Sequence, residues 1–445
     1  MRLIVMVVAF CCAYFSINAR ELGRRPLLGI QVEVVTGDVQ RVMNLPEQKG
    51  LLIDRVIPAS TAEAAGFKKG DVVLSVNKNE FAAPADLIQY VGTQKSGTKF
   101  TYVLWRNNKK ISGKAVFKAY PKEKYKDLAV LYSQVQTSSG LQRVIITKPK
   151  QCHGKLPVVV FLTGIGCYSL DLPLDTSKSE LQLLNRLARA GYMTVRIDKP
   201  GVGDGVTTSR PCNEIGFYEE AEGYATAIHK LKTMPEVDKN KIYIFGHSMG
   251  GVMAPIVAEQ ESVKGIIAYG TIGANFMEYL LKTRRTIGQA LQMTPDSIDA
   301  YVKDYCQCAA YYFIENMTTD QAAAKKNICH DYLSVFDYRS RQYNSEMYGV
   351  NIPAAWESFS GKALLVWGSS DYVSSKDDHE IIAGTVNQYH PGNATFMTCP
   401  ATGHGMQYAA DFADAANNPG AYNPSLGDIV LDWLAKNDST MPKHG

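Results

Sequence analysis

Six short apolar runs between residues 157 and 400 constrain this chain more than any other feature. They read "PVVVFLT", "YMTVRID", "KIYIF", "VKGIIAYG", "KALLVWG" and "NATFMTCP". They are too short for helices, and the continuous ones predict strands covered on both faces. Between and after them lie segments with apolar residues at helical spacing: "SELQLLNRLARAG", "FYEEAEGYATAIHKLKTM", "GVMAPIVAEQ", "KDDHEIIAGTVNQY" and "LGDIVLDWLAKN". Repeated strand–helix units predict an α/β unit, a mostly parallel sheet with helices on both faces. Ahead of it, "LAVLYSQVQ" and "LQRVIITKP" predict an antiparallel pair turning at Ser139-Gly140. The unit spans residues 128–440. From 275 to 360 the alternation stops, and a stretch of that length is an inserted helical cap rather than a loop. The cap is rich in aromatics, including Tyr301, Tyr305, Tyr312, Phe313, Phe336 and Tyr338. Their spacing alone points to a core more than to a pocket. Their place between two core strands also predicts a cover over whatever lies at the sheet edge.

The third run ends in "GHSMGG", residues 246–251. A parallel strand turning sharply into a helix puts the turn residue at the carboxyl edge of the sheet, where open α/β sheets bind ligands. The turn matches G-x-S-x-G, the nucleophile elbow. Ser248 then sits in a strained conformation, and Gly246 and Gly250 allow the backbone on either side to approach closely. The positive end of the following helix faces the same place and favours developing negative charge.

A serine hydroxyl needs a base, and the base needs an orienting group. Of eight histidines, His404 in "CPATGHGMQY" lies just past a strand, on the same edge as Ser248. His247 occupies the variable elbow position and points elsewhere. Asp371 ends "LLVWGSSD", also directly after a strand. Asp377 and Asp378 compete with it, but they begin a helix, where carboxylates have an ordinary stabilising role. The chain order Ser248, Asp371, His404 is that of α/β-hydrolases. Two N–H donors are needed for an oxyanion. Met249, the residue after the serine, is one. The loop "GIGC" supplies the other, Ile165, with Gly166 as its rival.

These residues resemble the α/β-hydrolase superfamily, and more closely its serine aminopeptidase and monoglyceride-lipase-like branch. The matching stretches are "LTGIGCYS", "GYMTVRIDKPGVGDG", "VDKNKIYIFGHSMGG", "LLVWGSSDYV" and "ATGHGM". The resemblance implies an α/β-hydrolase fold with a cap. Two positions depart from it. Thr163-Gly164 stands where the family usually has His-Gly, which puts the support of the oxyanion loop in question. Asp204 stands where serine is more common.

Residues 24–118 read differently. "GLLIDRVIPASTAEAAGFKKGDVVLSVN" predicts a strand, a short helix over Ser60–Ala65 and a second strand. "APADLIQYVGTQ" has helical spacing, and "KFTYVLWRNNKKISGKAVF" predicts a hairpin turning near Asn107-Asn108. "PLLGIQVEV" with "ASTAEAAGFKKGDVVLSVN" resembles the PDZ domains of bacterial exported proteases of the high-temperature-requirement family. The resemblance implies a small β-rich domain that takes a peptide C-terminus on the loop Leu27-Leu28-Gly29-Ile30 and adds it to a sheet edge. A domain that only packs on its neighbour is the alternative. Residues 119–127, "AYPKEKYKD", read as a linker.

Residues 1–19, "MRLIVMVVAFCCAYFSINA", have a basic start, an apolar run and a small residue at Ala19. That predicts a signal peptide and export to the periplasm or medium. No later segment is apolar enough to span a membrane. The net charge of +4 on 445 residues gives no reason to invoke nucleic acid. Seven cysteines follow the leader. A bridge among Cys306, Cys308 and Cys329 and buried reduced thiols stand as equal alternatives. No HExxH pattern or calcium loop occurs, so no metal or other cofactor is expected. The expected activity is hydrolysis of a carboxylic ester. A peptidase acting on recruited peptides, and a peptide-binding scaffold with a vestigial hydrolase, are the alternatives.

Overall fold

The computed structural model describes residues 21–438. The leader at 1–19 and the last two residues assigned to the α/β unit lie outside the described residues. The N-terminal strands are β1 (Pro26–Leu27), β2 (Ile30–Val34), β3 (Leu51–Val56), β4 (Val72–Val76), β5 (Lys99–Arg106), β6 (Lys109–Val116) and β7 (Lys118–Ala119). β2 to β6 form one antiparallel sheet in sequence order, and β1 pairs with β7. Asn107 and Asn108 both have positive φ, 51° and 57°, as a two-residue turn matched to strand twist requires. A core of Leu51, Ile53, Phe67, Val73, Leu87, Val91 and Phe100 seats the helix Pro84–Gly92 on the sheet.

The second sheet has eight strands: β8 (Leu128–Thr137), β9 (Gly140–Pro149), β10 (Leu156–Leu162), β11 (Met193–Ile197), β12 (Val237–His247), β13 (Gly265–Tyr269), β14 (Lys362–Gly368) and β15 (Ala394–Cys399). Their order is β15-β14-β13-β12-β10-β11-β9-β8, parallel from β15 to β11. β8 and β9 are antiparallel with Thr137 opposite Gly140, so the turn is Ser138-Ser139, one residue earlier than expected. Alternation in β10 feeds both faces. Val158, Val160 and Leu162 join the core under helices Phe217–Lys232 and Met249–Gln260. Val159 and Phe161 join the core under Ser179–Arg189 and Pro424–Asn437. The order reverses at β10, because β11 lies on one side of it and β12 on the other. A crevice at the carboxyl ends of the strands opens at such a point.

Between β13 and β14 the chain forms only helices, from Phe276–Ala290 to Ile352–Glu357. Tyr305, Tyr312 and Phe336 are buried in a core continuous with the sheet's, whereas Tyr338 is 70 % exposed. Most of the cap's aromatics therefore pack on one another. Cys308 and Cys329 form a disulfide across 21 residues, so of the two alternatives for these cysteines the bridge is present, and it leaves Cys306 as an exposed thiol. Replacing both cysteines by serine is expected to cost about 3 kcal/mol, read as a lowered denaturation midpoint relative to the oxidised protein.

The two sheets are joined through buried charge. Asp204 accepts from the Arg25 N–H at 2.8 Å and pairs with Arg24 and with Arg143 on β9. Arg24 also reaches Asp171 at 2.7 Å. The departure noted at Asp204 thus has a structural use. The segment 119–127 is held down as well: Glu123 is buried and receives both terminal nitrogens of Arg196, at 2.7 and 2.9 Å.

Candidate active site

Ser248 follows β12 with φ 55° and ψ −122°, a strained backbone for a residue with a side chain. The glycines around it are needed for space. A Cβ on Gly246 would lie 2.5 Å from Gly250 O, and one on Gly250 would lie 2.2 Å from Leu162 O. Ser248 caps the helix Met249–Gln260. Met249 is that helix's first residue, and its N–H has no acceptor within the helix.

Asp371, three residues past β14, is fully buried. His404 Nδ1–H donates to its Oδ2 at 2.9 Å. Ser374 Oγ donates to the same oxygen at 2.7 Å, and the Val373 and Ser374 N–H groups donate to Oδ1 at 2.8 and 3.0 Å. Burial alone would raise the Asp371 carboxyl, but His404 and the Ser374 hydrogen bonds outweigh it and hold the group below its ordinary value. Asp371 is therefore ionised and aimed at the imidazole. Gly270, just past β13, leaves room for this pair: a Cβ there would lie 3.0 Å from His404 Nδ1 and 3.1 Å from Asp371 Oδ2. Sequence reasoning did not single out Gly270.

The rival carboxylates are placed elsewhere. Asp378 accepts from Ser375 N and Oγ and from the Gly273 and Ala274 N–H groups. Asp377 is exposed. His247 donates from Nε2 to His404 O at 2.9 Å, and burial followed by the neighbouring His404 pushes its pKa down to about 3. It is a neutral prop for the His404 backbone.

The loop after β10 passes over Ser248, with a Cβ on Gly164 falling 3.6 Å from Ser248 Oγ. Its support is not the expected one. Thr163 Oγ1 meets Tyr224 OH at 3.2 Å. Lys199 Nζ donates to Gly164 O at 2.5 Å, and Arg339 Nη1, from the cap, donates to Ile165 O at 2.8 Å. Glu220 lies between the two cations. A disulfide ties Cys167 of this loop to Cys212. None of these five partners was read from the sequence.

In the N-terminal domain, Leu27, Leu28, Gly29 and Ile30 run from the end of β1 to the start of β2 and line a groove of about 980 Å³ with Leu87, Ile88 and Val91. Gly29 has φ +78°, and a Cβ there would lie 2.1 Å from Ser60 Cβ. The glycine is thus required by packing on Ser60, whether or not a peptide binds at this loop. Gly201, Gly203, Val206 and Pro211 of the larger unit also line this groove.

Residues 159–415, more than half of the chain, match the alpha/beta hydrolase family. The chain belongs to that family. Residues 26–114 of this hydrolase match the PDZ domain family. The PDZ region is similar to the periplasmic pH-dependent serine endoprotease DegQ of Escherichia coli, 35 % identical over 86 residues and covering 19 % of each chain. It is also similar to the periplasmic serine endoprotease DegP of the same organism, 34 % identical over 89 residues, 20 % of this chain and 19 % of that one. The hydrolase thus spans about a fifth of the length of these curated relatives. Among solved structures it is similar to Est1E from Butyrivibrio proteoclasticus, with 14 % identity, TM-score 0.44 and coverage of 70 % of this chain and 99 % of that one. Carboxyl esterase 2 from Tuber melanosporum gives 15 % identity, TM-score 0.42, and coverage of 72 % and 90 %. No helix of the hydrolase among the described residues is long and apolar enough to cross a membrane.

Proposed function

We propose that this chain is an exported serine hydrolase that cleaves a carboxylic ester through an acyl-enzyme, in the manner of the monoglyceride-lipase-like branch. The observation that carries the reading is the buried Asp371–His404 pair at the sheet edge where Ser248 sits strained at its elbow. Ser248 Oγ attacks the ester carbonyl while His404 Nε2 takes its proton. The bond to the alcohol breaks as that proton passes to the leaving oxygen. Water then repeats the sequence on the acyl group. Asp371 holds the Nδ1–H and stabilises the imidazolium. The Met249 and Ile165 N–H groups, or Gly166 in place of Ile165, stabilise the oxyanion.

Two disulfides, the leader-like first residues and the periplasmic relatives of the PDZ region support export. The groove between β2 and the helix Pro84–Gly92 favours a second reading, a peptidase acting on peptides that dock there. The Asp371–His404 pairing argues against a vestigial scaffold.

The test is labelling of the purified protein with a fluorophosphonate probe, followed by turnover of acyl esters of rising chain length and of aminoacyl and peptidyl anilides. Labelling, with ester turnover at least about tenfold above anilide turnover, is the expected result. An unlabelled wild type overturns the enzyme reading, and anilide turnover above ester turnover replaces it with the peptidase.

A further inference from the structure

Two successive carbonyls of the loop over Ser248 are gripped by buried cations that come from different parts of the molecule. Lys199 follows β11 and holds Gly164 O, while Arg339 comes from the cap and holds Ile165 O. Glu220 of the helix Phe217–Lys232 joins them, with Oε1 at 2.9 Å from Lys199 and Oε2 paired with Arg339. All three side chains are at most 2 % exposed.

In a trans peptide the N–H points opposite to the C=O, and no cis bond occurs among the described residues. The Gly164 carbonyl shares its peptide plane with the Ile165 N–H. The Ile165 carbonyl shares its plane with the Gly166 N–H. Fixing each carbonyl therefore fixes the direction of one N–H. A buried ion trio adds little net stability compared with apolar residues of the same size. Stability alone thus does not account for charges placed on these two carbonyls.

We propose that Lys199, Glu220 and Arg339 are positioning residues that aim the oxyanion donors, Lys199 acting on the Ile165 N–H and Arg339 on the Gly166 N–H. The proposal rests on the serine-hydrolase reading above. It supplies the loop support that Thr163 leaves open where His-Gly was expected. One of the two clamps, Arg339, is a cap residue, so the cap contributes to the shape of this loop.

Lys199 faces Glu220 and Arg339, and Tyr224 and Tyr343 flank Glu220. Burial lowers the Lys199 pKa to about 8; Glu220 opposes the shift and Arg339 adds to it. The ammonium, and with it the grip on Gly164, is lost as pH rises through about 8.

The test is kcat and KM for a short acyl ester between about pH 6 and pH 10. Wild type is expected to lose kcat on the alkaline side. Lys199→Met is expected to lower kcat about 10²-fold at neutral pH with KM little changed, and to lose the alkaline limb. Lys199→Arg is expected to recover part of kcat and push the limb to higher pH. A Lys199→Met enzyme with wild-type kcat, or with a wild-type alkaline limb, overturns the proposal. Should Lys199→Met fail to fold, Arg339→Gln decides, with about a tenfold fall in kcat expected and unchanged kcat overturning it. Turnover that survives Ser248→Ala would instead sink the hydrolase reading, whatever Lys199 does.

Discussion

Ser248→Ala is expected to lower ester turnover by about 10⁶-fold and to abolish probe labelling, with little change in thermal unfolding. The hydroxyl is the only group lost, and the half-buried site creates no large cavity. Asp371→Asn is expected to cost about 10⁴-fold. An asparagine amide has one acceptor where Asp371 Oδ1 and Oδ2 together accept four hydrogen bonds. Turned one way, its NH₂ meets Nδ1 and favours the imidazole tautomer that cannot take a proton from Ser248. Turned the other way, the NH₂ faces the Val373 and Ser374 donors. In the proposed mechanism the three residues act as a unit, so His404→Ala added to Ser248→Ala is expected to change little further. Steady-state hydrolysis of a short acyl ester checks the series. More than a tenth of wild-type activity in Asp371→Asn would remove Asp371 from the mechanism.

The second large effect is on stability. Asp204→Ala is expected to destabilise the protein by about 3–5 kcal/mol, because it leaves the guanidiniums of Arg24 and Arg143 buried without their shared carboxylate. Arg143 has a side chain with no exposure, so water cannot replace the lost partner. The double variant Asp204→Leu with Arg143→Met is expected to recover much of the loss, since apolar pairs of similar size are tolerated at such sites. Denaturant titration of the variants measures both. A cost below about 1 kcal/mol for Asp204→Ala would mean that the pair is worth no more than a surface ion pair.

The strand–helix series from β10 to β15 was legible because doubly covered strands need unbroken apolar runs, and such runs are local. The placement of Ser248, Asp371 and His404 was legible for a related reason: each lies within a few residues of a strand's carboxyl end, so topology alone brings them to one edge. The support of the loop over Ser248 is not local. Arg339 and Glu220 are 119 residues apart, and nothing near either one announces the other. One signal was present. "VRIDK" puts Arg196, Asp198 and Lys199 in and just after a strand that must be covered on both faces, and charges so placed need partners. The charged run 119–127 misleads in the opposite direction. Composition reads it as solvated, yet Glu123 is the partner of Arg196.

The same pairings bear on how such a chain can be inherited. Arg24 precedes the PDZ region and Glu123 follows it, and each neutralises a charge in the hydrolase body, Asp204 and Arg196. Deletion of the chain through residue 123 would leave Arg196 buried without its carboxylate, while Asp204 would keep Arg143, and a buried guanidinium without its partner is costly. Loss of the module together with residue 123 would therefore favour an apolar residue in place of Arg196.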